Sequence, residues 1–477
     1  MDMKYPYLTL QLIILVSLGA CSWRMPESPL SLQMSVPENF AESRIKSTFG
    51  DAEKIGARWW QILGDPVLDD FENQMAQENP NLIALSAVVE QAKSAVAMAQ
   101  SNLWPSLNAN TSVTRSQSYL TAPSGTYFSQ SFPFNWTPDI WGALDAQIIA
   151  LRAQQKVSEE NLAMARLTAQ ATLMQTYLTL RNVERVQEVL RSAERAYAKA
   201  LEITQHRYTS GLVASTDVAQ AKLQLSNAKA QRIDLGVQRA QLLHAIAALL
   251  GKNPSNFTIE PNAKLVEPVR LPEIIPGELI KRRPDIRSAL RGVESAQASL
   301  GAAKMAFFPT VTFSSTLGYR STQLPGLINN SKAYWSVGPT VSLPLLDGGQ
   351  RQANKSSAQA ALDQAVAIYR QVVLSAFQEV EDNLVATSLL QEEGQVQLEA
   401  LDAAKKNLNV TQQQYLSGTV SYLNVTIAQN SELQAERAVM DIENRRWLAI
   451  TQLLKNLAGE WDLTQPQPRA LNSSANQ

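Results

Sequence analysis

The only thiol of the chain lies where a bacterial lipid anchor would be attached. Cys21 is the sole cysteine among 477 residues, and it follows a Leu-Gly-Ala sequence and a short uncharged apolar run, Tyr7 to Val16. This pattern matches a lipobox, in which the thiol receives a diacylglyceryl group and the cysteine becomes the new N-terminus. The alternative is an ordinary signal peptide followed by a chance cysteine. We predict a signal peptide over residues 1–20 and lipidation at Cys21, and Ser22 in place of Asp indicates sorting to the outer membrane.

The remaining reactive side chains do not form a catalytic or metal-binding set. The two histidines, His206 and His244, are isolated in helix-like segments, whereas a zinc site needs a cluster of ligands. The acidic pairs Glu159-Glu160 and Glu392-Glu393 lie in long predicted helices, where solvated faces or partners on other helices are expected rather than acid–base dyads. With 42 basic and 43 acidic residues, the chain lacks the basic footprint of a nucleic-acid-binding protein. We therefore predict no enzyme, no cofactor and no metal.

One charged segment, Arg282-Arg283-Pro284-Asp285, is compatible with an anion site or with the start of a helix. We favour the helix start, because proline is tolerated in the first turn and an aspartate is favourable at the positive N-terminal end.

Four sequence landmarks occur twice in the same order, about 204 to 208 residues apart, which indicates an internal duplication. Each copy has the order helix, strand, strand, long helix, tight turn, long helix. The matched pairs are Trp104-Pro105 with Phe308-Pro309, Asp139-Ile140-Trp141-Gly142 with Leu345-Leu346-Asp347-Gly348, the turns beginning at Tyr208 and Tyr415, and Leu249-Leu250-Gly251 with Leu457-Ala458-Gly459.

The duplication divides the mature chain into segments. We predict a lipid-anchored tether over residues 21–57, a first repeat over 58–260, a proline-rich connector over 261–276, a second repeat over 277–464 and a tail over 465–477.

Two segments predict unusually long helices. Ala143 to Tyr208 contains no proline or glycine, and Gly349 to Tyr415 contains no proline and one internal glycine, Gly394. At 1.5 Å per residue each helix would be about 100 Å long. Their alanine-rich apolar stripes are typical of closely packed, coiled-coil-like helices. A soluble coiled-coil spacer is the alternative interpretation.

Four segments alternate between apolar and polar residues and therefore predict strands with one apolar face. They lie near Asn108 to Arg115, and over 128–136, 311–319 and 335–343. The polar faces carry Ser, Thr, Asn and Gly with almost no charge, which fits a membrane barrel with apolar residues outside and polar residues inside. A soluble sandwich is the alternative. After residue 21 every long apolar stretch is interrupted by Gln or charged residues, so a membrane crossing is expected to use strands.

Four strands are too few to close a barrel, since about eight is the practical minimum. The sheet must therefore be completed by other copies of the chain. Two copies would give eight strands filled by side chains, and three would give twelve strands around a lumen.

The ordered motifs resemble those of the TolC-like outer-membrane factors, in particular the NodT-type lipoprotein branch that serves efflux pumps, and the resemblance covers nearly the whole mature chain. The motifs are Trp59-Trp60, Gly64-Asp65-Pro66, Trp104-Pro105, Arg282-Arg283-Pro284-Asp285-Ile286, Phe307-Phe308-Pro309, Leu343-Pro344-Leu345-Leu346-Asp347-Gly348-Gly349 and the two Tyr-x-Ser-Gly turns.

The resemblance implies an α+β membrane protein with four transmembrane β-strands and long α-helical hairpins in each chain. It implies a homotrimer with a twelve-stranded barrel in outer-membrane lipid and an α-helical tunnel in the periplasm. The implied partners are a periplasmic adaptor and an inner-membrane transporter of the RND, MFS or ABC type.

The two turns are predicted to carry a functional surface. Gly211 and Gly418 should have positive φ, which is accessible to glycine at little cost. The resemblance implies that these turns dock the adaptor, and the alternative is a turn without a partner. The predicted docking residues are Ser210, Gly211, Leu212, Val213, Ser417, Gly418, Thr419 and Val420.

The resemblance also implies a periplasmic gate just after the second turn. In relatives it combines a tyrosine before the turn, a leucine after it and an Asp-Ala-Gln-Arg stretch. Tyr415 and Leu423 match, but the stretch is Ile427-Ala428-Gln429-Asn430, which lacks both charges, so a charge-paired latch cannot be carried over. We expect Leu423 and Ile427 to form an apolar plug, with packing between helices as the alternative.

These inferences predict a passive exit duct for drugs or other small toxic compounds. A protein-secretion duct of the same architecture and a structural coiled-coil envelope lipoprotein are the alternatives. The lipobox favours the first, because secretion ducts of this family usually lack it.

Overall fold

The computed structural model describes residues 40–41, 58–117, 124–262 and 282–457. Seven α-helices lie in these ranges. They are α1 (Pro66–Glu78), α2 (Pro80–Ser101), α3 (Ala143–Thr209), α4 (Ser215–Leu249), α5 (Pro284–Met305), α6 (Gln350–Leu416) and α7 (Tyr422–Leu457).

The two long helices predicted from the sequence are confirmed. Helices α3 and α6 have 67 residues each, which corresponds to about 100 Å of helix. Each is followed by a tight turn and a helix of about half its length, α4 with 35 residues and α7 with 36. The chain therefore forms two helix–turn–helix pairs, and the same order of elements occurs in both halves.

Local sequence explains where the shorter helices begin. Helix α1 starts at Pro66, and the carboxylate of Asp65 caps it by accepting a hydrogen bond from Val67 N at 2.9 Å. Helix α5 starts at Pro284, which confirms the predicted helix start. The Arg283 guanidinium, 4% exposed, donates to Asp285 and to Glu379 at 2.6 and 3.0 Å, so its charge is already matched.

The strands form one antiparallel sheet. They are β1 (Ser106–Leu107), β2 (Asn110–Ser116), β3 (Gly125–Trp136), β4 (Thr310–Ser321) and β5 (Ala333–Ser342). Strands β1 and β2 both pair with β3, and β3 pairs with β4 and β4 with β5. The strand predicted near Asn108 to Arg115 corresponds to β2, and the short β1 before it was not predicted. All four predicted strands lie within three residues of the observed limits.

The register places apolar side chains in rows on one face of the sheet. Phe132 pairs with Leu317, which pairs with Trp335, and these three side chains are 38%, 51% and 75% exposed. The opposite face carries mainly serine, threonine and asparagine, as the alternating sequence predicts. The apolar side chains of this sheet are therefore presented outward by the chain instead of forming a buried core.

The described residues divide into two compact units. One unit contains the sheet and consists of Val88–Glu159 and Ser288–Gln371. The other contains most of the two helix pairs and consists of the described residues within Ser35–Ala87, Glu160–Arg287 and Val372–Gln477. Each unit thus draws on both halves of the sequence.

The core of the helical unit is built from the facing sides of the long helices. One cluster joins Val183, Val186 and Leu190 of α3 to Leu235 of α4 and Leu433 of α7. The acidic pairs supply interhelix partners, as predicted: Glu160 accepts from Arg287 at 2.7 Å and Glu393 lies 3.4 Å from Arg445.

One helix of the described residues, α2, has the length and mean hydropathy, 1.4, of a membrane-spanning segment. This finding rests on length and composition alone. The expectation that every long apolar stretch is interrupted by charge still applies to α2, because Glu90 and Lys93 lie in its middle and form an ion pair at 2.6 Å.

Several predictions lie outside the described residues. They are the signal peptide 1–20, the lipidation at Cys21, most of the tether 21–57, most of the connector 261–276 and the tail 465–477. The described part of the tether contacts α6: the Phe40 ring packs edge-on against Phe377 at 6.1 Å, and Ala41 N donates to Glu381 Oε1 at 2.8 Å.

Candidate functional site

The turn between α3 and α4 ends the first helix pair in a Schellman motif. Gly211 has φ 73°, which confirms the predicted positive φ. Gly211 N donates to Tyr208 O and Leu212 N donates to Arg207 O, both at 2.9 Å. These two bonds satisfy carbonyls that the end of α3 would otherwise leave open.

The turn between α6 and α7 has the same backbone structure. Gly418 has φ 80°. Gly418 N donates to Tyr415 O at 3.0 Å and Thr419 N donates to Gln414 O at 2.9 Å. The repeated Tyr-x-Ser-Gly sequence therefore gives two equivalent helix ends.

The exposed part of each turn is smaller than predicted. Ser210, Gly211, Ser417, Gly418 and Thr419 are exposed, and Leu212 is 68% exposed. Val213 and Val420 are among the predicted docking residues, but both are half-buried, and Val420 packs against buried residues beneath the turn. Val420 therefore belongs to the packing beneath the second turn and not to its exposed surface.

Beneath the second turn lies a set of side chains that we call the tyrosine cluster, comprising Ala221, Tyr415, Tyr422 and Val425. The rings of Tyr415 and Tyr422 meet edge to face with centroids 5.2 Å apart. The Arg207 guanidinium lies over the Tyr415 ring at 4.9 Å, and its Nη1 donates to Tyr415 O at 3.3 Å. This cluster ties the last turn of α3 to the end of α6 and the start of α7.

Burial raises the pKa of Tyr422 to about 12, and the neighbouring Tyr415, Tyr197 and Asp217 act in the same direction. One sequence difference between the two turns could have indicated this cluster and was missed. Arg207 is a cation next to the first turn, and glutamine stands at the equivalent position, Gln414, in the second.

Three of the four predicted gate residues lie together and one does not. Leu423, Ile427 and Asn430 have spacings of four and three on α7 and therefore share a helix face, and Leu423 and Ile427 are 50% and 54% exposed. Asn430 Oδ1 accepts from Gln224 Nε2 of α4 at 2.7 Å. Tyr415 is only 7% exposed and belongs to the tyrosine cluster, so it does not share that face.

No group of three or more His, Cys, Asp or Glu side chains suited to a metal ion occurs within the described ranges. One member of each acidic pair, Glu160 and Glu393, makes an interhelix ion pair. The functional candidates of this part of the chain are therefore surfaces, namely the apolar face of the sheet, the two turns and the stripe on α7.

Comparisons with known proteins give a consistent result. The family model described as "Outer membrane efflux protein" matches residues 72–252 and 275–459. Outer membrane protein OprJ of Pseudomonas aeruginosa is 28% identical over 94% of this chain and 95% of its own length. The probable outer membrane lipoprotein SilC of Salmonella typhimurium is 25% identical over 93% of this chain and 95% of its own length.

A solved structure has the same fold. The CmeC outer membrane channel of Campylobacter jejuni superposes with a TM-score of 0.83 at 21% identity, covering 94% of this chain and 96% of that one.

Proposed function

This chain belongs to the outer membrane efflux protein family, and from that premise we propose which of its parts carry out export. It is the outer-membrane channel component of a tripartite efflux system, in which a periplasmic adaptor connects it to an inner-membrane transporter. We propose that it is a passive exit duct for drugs or other small toxic compounds. The transporter supplies the energy, so the duct itself needs no catalytic group.

The outward apolar face of the sheet carries this proposal. Trp335, Val337 and Val341 of β5 are 75%, 55% and 65% exposed, and burial in lipid would remove this area from water. The outer edges of the sheet, β2 and β5, have unpaired backbone groups that are costly in lipid. Pairing these edges between three copies gives a closed barrel of twelve strands, with the interrupted β1–β2 counted as one.

Conductance across planar bilayers tests the duct. The purified trimer is expected to insert and conduct ions, and to restore drug resistance to a strain that lacks its own outer-membrane duct. Val337→Asp places a charge on the proposed lipid face, whereas Ser336→Asp places it on the opposite face as a matched control. Equal insertion of the two variants would contradict the assigned face, and an absence of conductance in the parent would support a structural lipoprotein instead.

We propose that Cys21 is lipidated. Cells that express the parent should incorporate a radioactive fatty acid into the protein, and cells that express Cys21→Ser should not. Continued labelling of the variant would refute the assignment. Insertion is expected to weaken without being lost, because the barrel anchors the protein independently.

The exposed turn residues are proposed to dock the adaptor. Replacement of Ser210, Gly211, Ser417 or Gly418 by a bulky or charged residue should abolish drug resistance while the trimer still forms. Val213 and Val420 would contribute by stabilising the turn conformation and not by contacting the adaptor, because their side chains are half-buried. Crosslinking of a cysteine at position 212 or 419 to the adaptor gives a second readout, and wild-type resistance in the glycine variants would count against docking at the turns.

The stripe on α7 is proposed as an apolar gate. Three copies of Leu423 and Ile427 around a threefold axis would form a constriction that resists wetting. Leu423→Ser with Ile427→Ser should raise single-channel conductance or vancomycin entry into intact cells. The equivalent first-repeat residues, Thr216 and Gln220, are already polar, so Thr216→Ser is a matched control. An apolar gate would be refuted if the double variant had the same conductance and vancomycin entry as the parent, or if a change in salt concentration alone opened the parent channel.

A further inference from the structure

Two arginines occupy equivalent positions in the two repeats but have different partners. Arg239 on α4 and Arg446 on α7 are separated by 207 residues, the same interval as Gly211 and Gly418. Arg239 Nε donates to Glu184 Oε1 of α3 at 2.9 Å. The residue of α6 at the position of Glu184 is Gln391, and Arg446 donates to its neutral Oε1 at 2.8 Å.

Arg446 therefore lacks the anion that Arg239 has. Its Nε–H is buried and makes no hydrogen bond within the described structure, and burial lowers the pKa of its guanidinium, with no carboxylate acting against this effect. The nearby Glu443 is engaged by Arg185 at 2.8 Å, and Glu393 by Arg445 at 3.4 Å. Arg446 as a whole is half-buried, but a buried N–H donor such as its Nε–H is stabilised by a hydrogen-bonded acceptor and is costly without one.

A cavity of about 280 Å³ lies beside Arg446, between α6 and α7. We call it the arginine cavity. Its walls are mainly apolar and include Leu390, Val439, Ile442, Trp447 and Ile450, which are all buried. Glu443 also lines it, and the charge of that carboxylate is matched by Arg185. Leu398, 53% exposed, lines its outer part.

Gly394 supplies part of the space, because it is the only glycine inside α6 and it lines the cavity. A Cβ at Gly394 would meet Ile442 Cγ2 at 3.5 Å, an ordinary contact, so the helix does not require a glycine to avoid a clash. Glycine in a helix interior costs about 1 kcal/mol relative to alanine. The equivalent residue of the first repeat is Gln187, which carries a full side chain.

We propose that the arginine cavity binds a small apolar molecule that ends in a carboxylate, such as a medium-chain fatty acid. The carboxylate accepts from the guanidinium of Arg446, as Glu184 accepts from Arg239 in the first repeat. The apolar body lies along Leu390, Ile442 and Trp447. A diacyl phospholipid is too large, since the cavity volume of about 280 Å³ lies just below the range of ligand sites, which begins at about 300 Å³.

Binding of radioactive octanoate to the full-length trimer in a neutral detergent tests this proposal. The decisive variant is Gln391→Glu, which gives Arg446 an internal carboxylate in the geometry already used by Glu184. We expect octanoate affinity to fall about tenfold or more, because the charge-assisted bond is no longer available to the ligand. Gln241→Glu adds the same charge at an exposed site of α4 and should bind as the parent does.

Two further measurements distinguish the contribution of the ligand's carboxylate to binding from that of its apolar body. Gly394→Leu fills the cavity and should also reduce octanoate binding, whereas Gly394→Ala should have a smaller effect. Neutral 1-octanol should compete at least about tenfold more weakly than octanoate. Equal octanoate binding by the parent and Gln391→Glu, equal competition by octanol, or no binding by the parent would each overturn the proposal. None of these results depends on adaptor docking or on gating.

Discussion

The two turns that end the helix pairs share one sequence and one backbone conformation, but their tyrosines have opposite environments. Tyr208 is 48% exposed, whereas Tyr415 is 7% exposed and packs against Tyr422. Arg207 lies over the ring of Tyr415 and not over that of Tyr208, its own neighbour in sequence. The duplicated motif thus specifies the turn, and the helices that surround it determine which tyrosine is packed.

The two equivalent arginines, Arg239 and Arg446, also have different surroundings in the two repeats. In the first repeat Glu184 accepts from Arg239, from Arg181 and from Asn262 N, so the start of the connector is held to α3. In the second repeat Gln391 gives Arg446 a neutral partner, and a cavity lies beside it. The first repeat therefore uses this position for stability, and the second leaves it available for a ligand.

The largest expected effect comes from making the first arginine site resemble the second. Glu184→Gln removes the carboxylate from two arginines in a site where the Glu184 side chain is 3% exposed. Loss of one partner from a buried ion pair costs about 3 to 5 kcal/mol of unfolding free energy. Thermal unfolding followed by circular dichroism should show a large drop in unfolding temperature for Glu184→Gln. The unfolding temperature of Gln391→Glu should be similar to that of the parent. An equally large drop in the unfolding temperature of Gln391→Glu would contradict the proposed difference between the two arginine sites.

Truncation of the two tyrosines should also separate the turns. Tyr415→Ala deletes a buried ring and should destabilise the helical unit by about 3 kcal/mol, whereas Tyr208→Ala should change it by less than about 0.5 kcal/mol. Tyr415→Phe should be nearly neutral or stabilising, because the buried Tyr415 hydroxyl has no hydrogen-bond partner among the described residues. Equal losses for the two alanine variants would refute the difference in packing.

Alkaline pH should destabilise the packing beneath the second turn. The pKa of Tyr422 is raised to about 12 in the folded protein, compared with about 10 in an unfolded chain. The neutral hydroxyl is therefore favoured by folding, and its stabilisation is complete below pH about 10 and is lost as the pH rises toward 12. Ultraviolet titration of tyrosinate together with hydrogen exchange near residues 415–425 measures this loss. Tyr422→Phe should remove that part of the pH dependence.

The smallest expected effect is the one that the two turns should share. Nothing lies within 4 Å of a Cβ built at Gly211 or at Gly418, so Gly→Ala at either site costs only the positive φ, about 1 kcal/mol. Asparagine, which tolerates this conformation better, should cost less at both sites. Thermal unfolding of the four variants tests this expectation, and a much larger loss at one alanine variant would indicate a steric constraint that the turns do not share.

The sequence by itself determined the features that depend on neighbours along the chain. Absence of proline and glycine predicted α3 and α6 nearly to the residue, alternation predicted the strands, and Tyr-x-Ser-Gly predicted positive φ at Gly211 and Gly418. These features follow from local backbone preference and side-chain periodicity, which a linear sequence records directly. The two-residue strand β1 was missed, because so short a segment shows no alternation.

Only the tertiary structure decided which side chains meet. Tyr415 was expected with Leu423 and Ile427, but its position on α6 directs the ring beneath the turn, where Arg207 and Tyr422 come from two other helices. Val420 turned inward for the same reason. The missing carboxylate at Arg446 became visible only when α6 and α7 were placed side by side, because Gln391 and Arg446 lie 55 residues apart in the chain. Periodicity assigns a residue to a face of its helix, and the packing of helices determines what that face contacts.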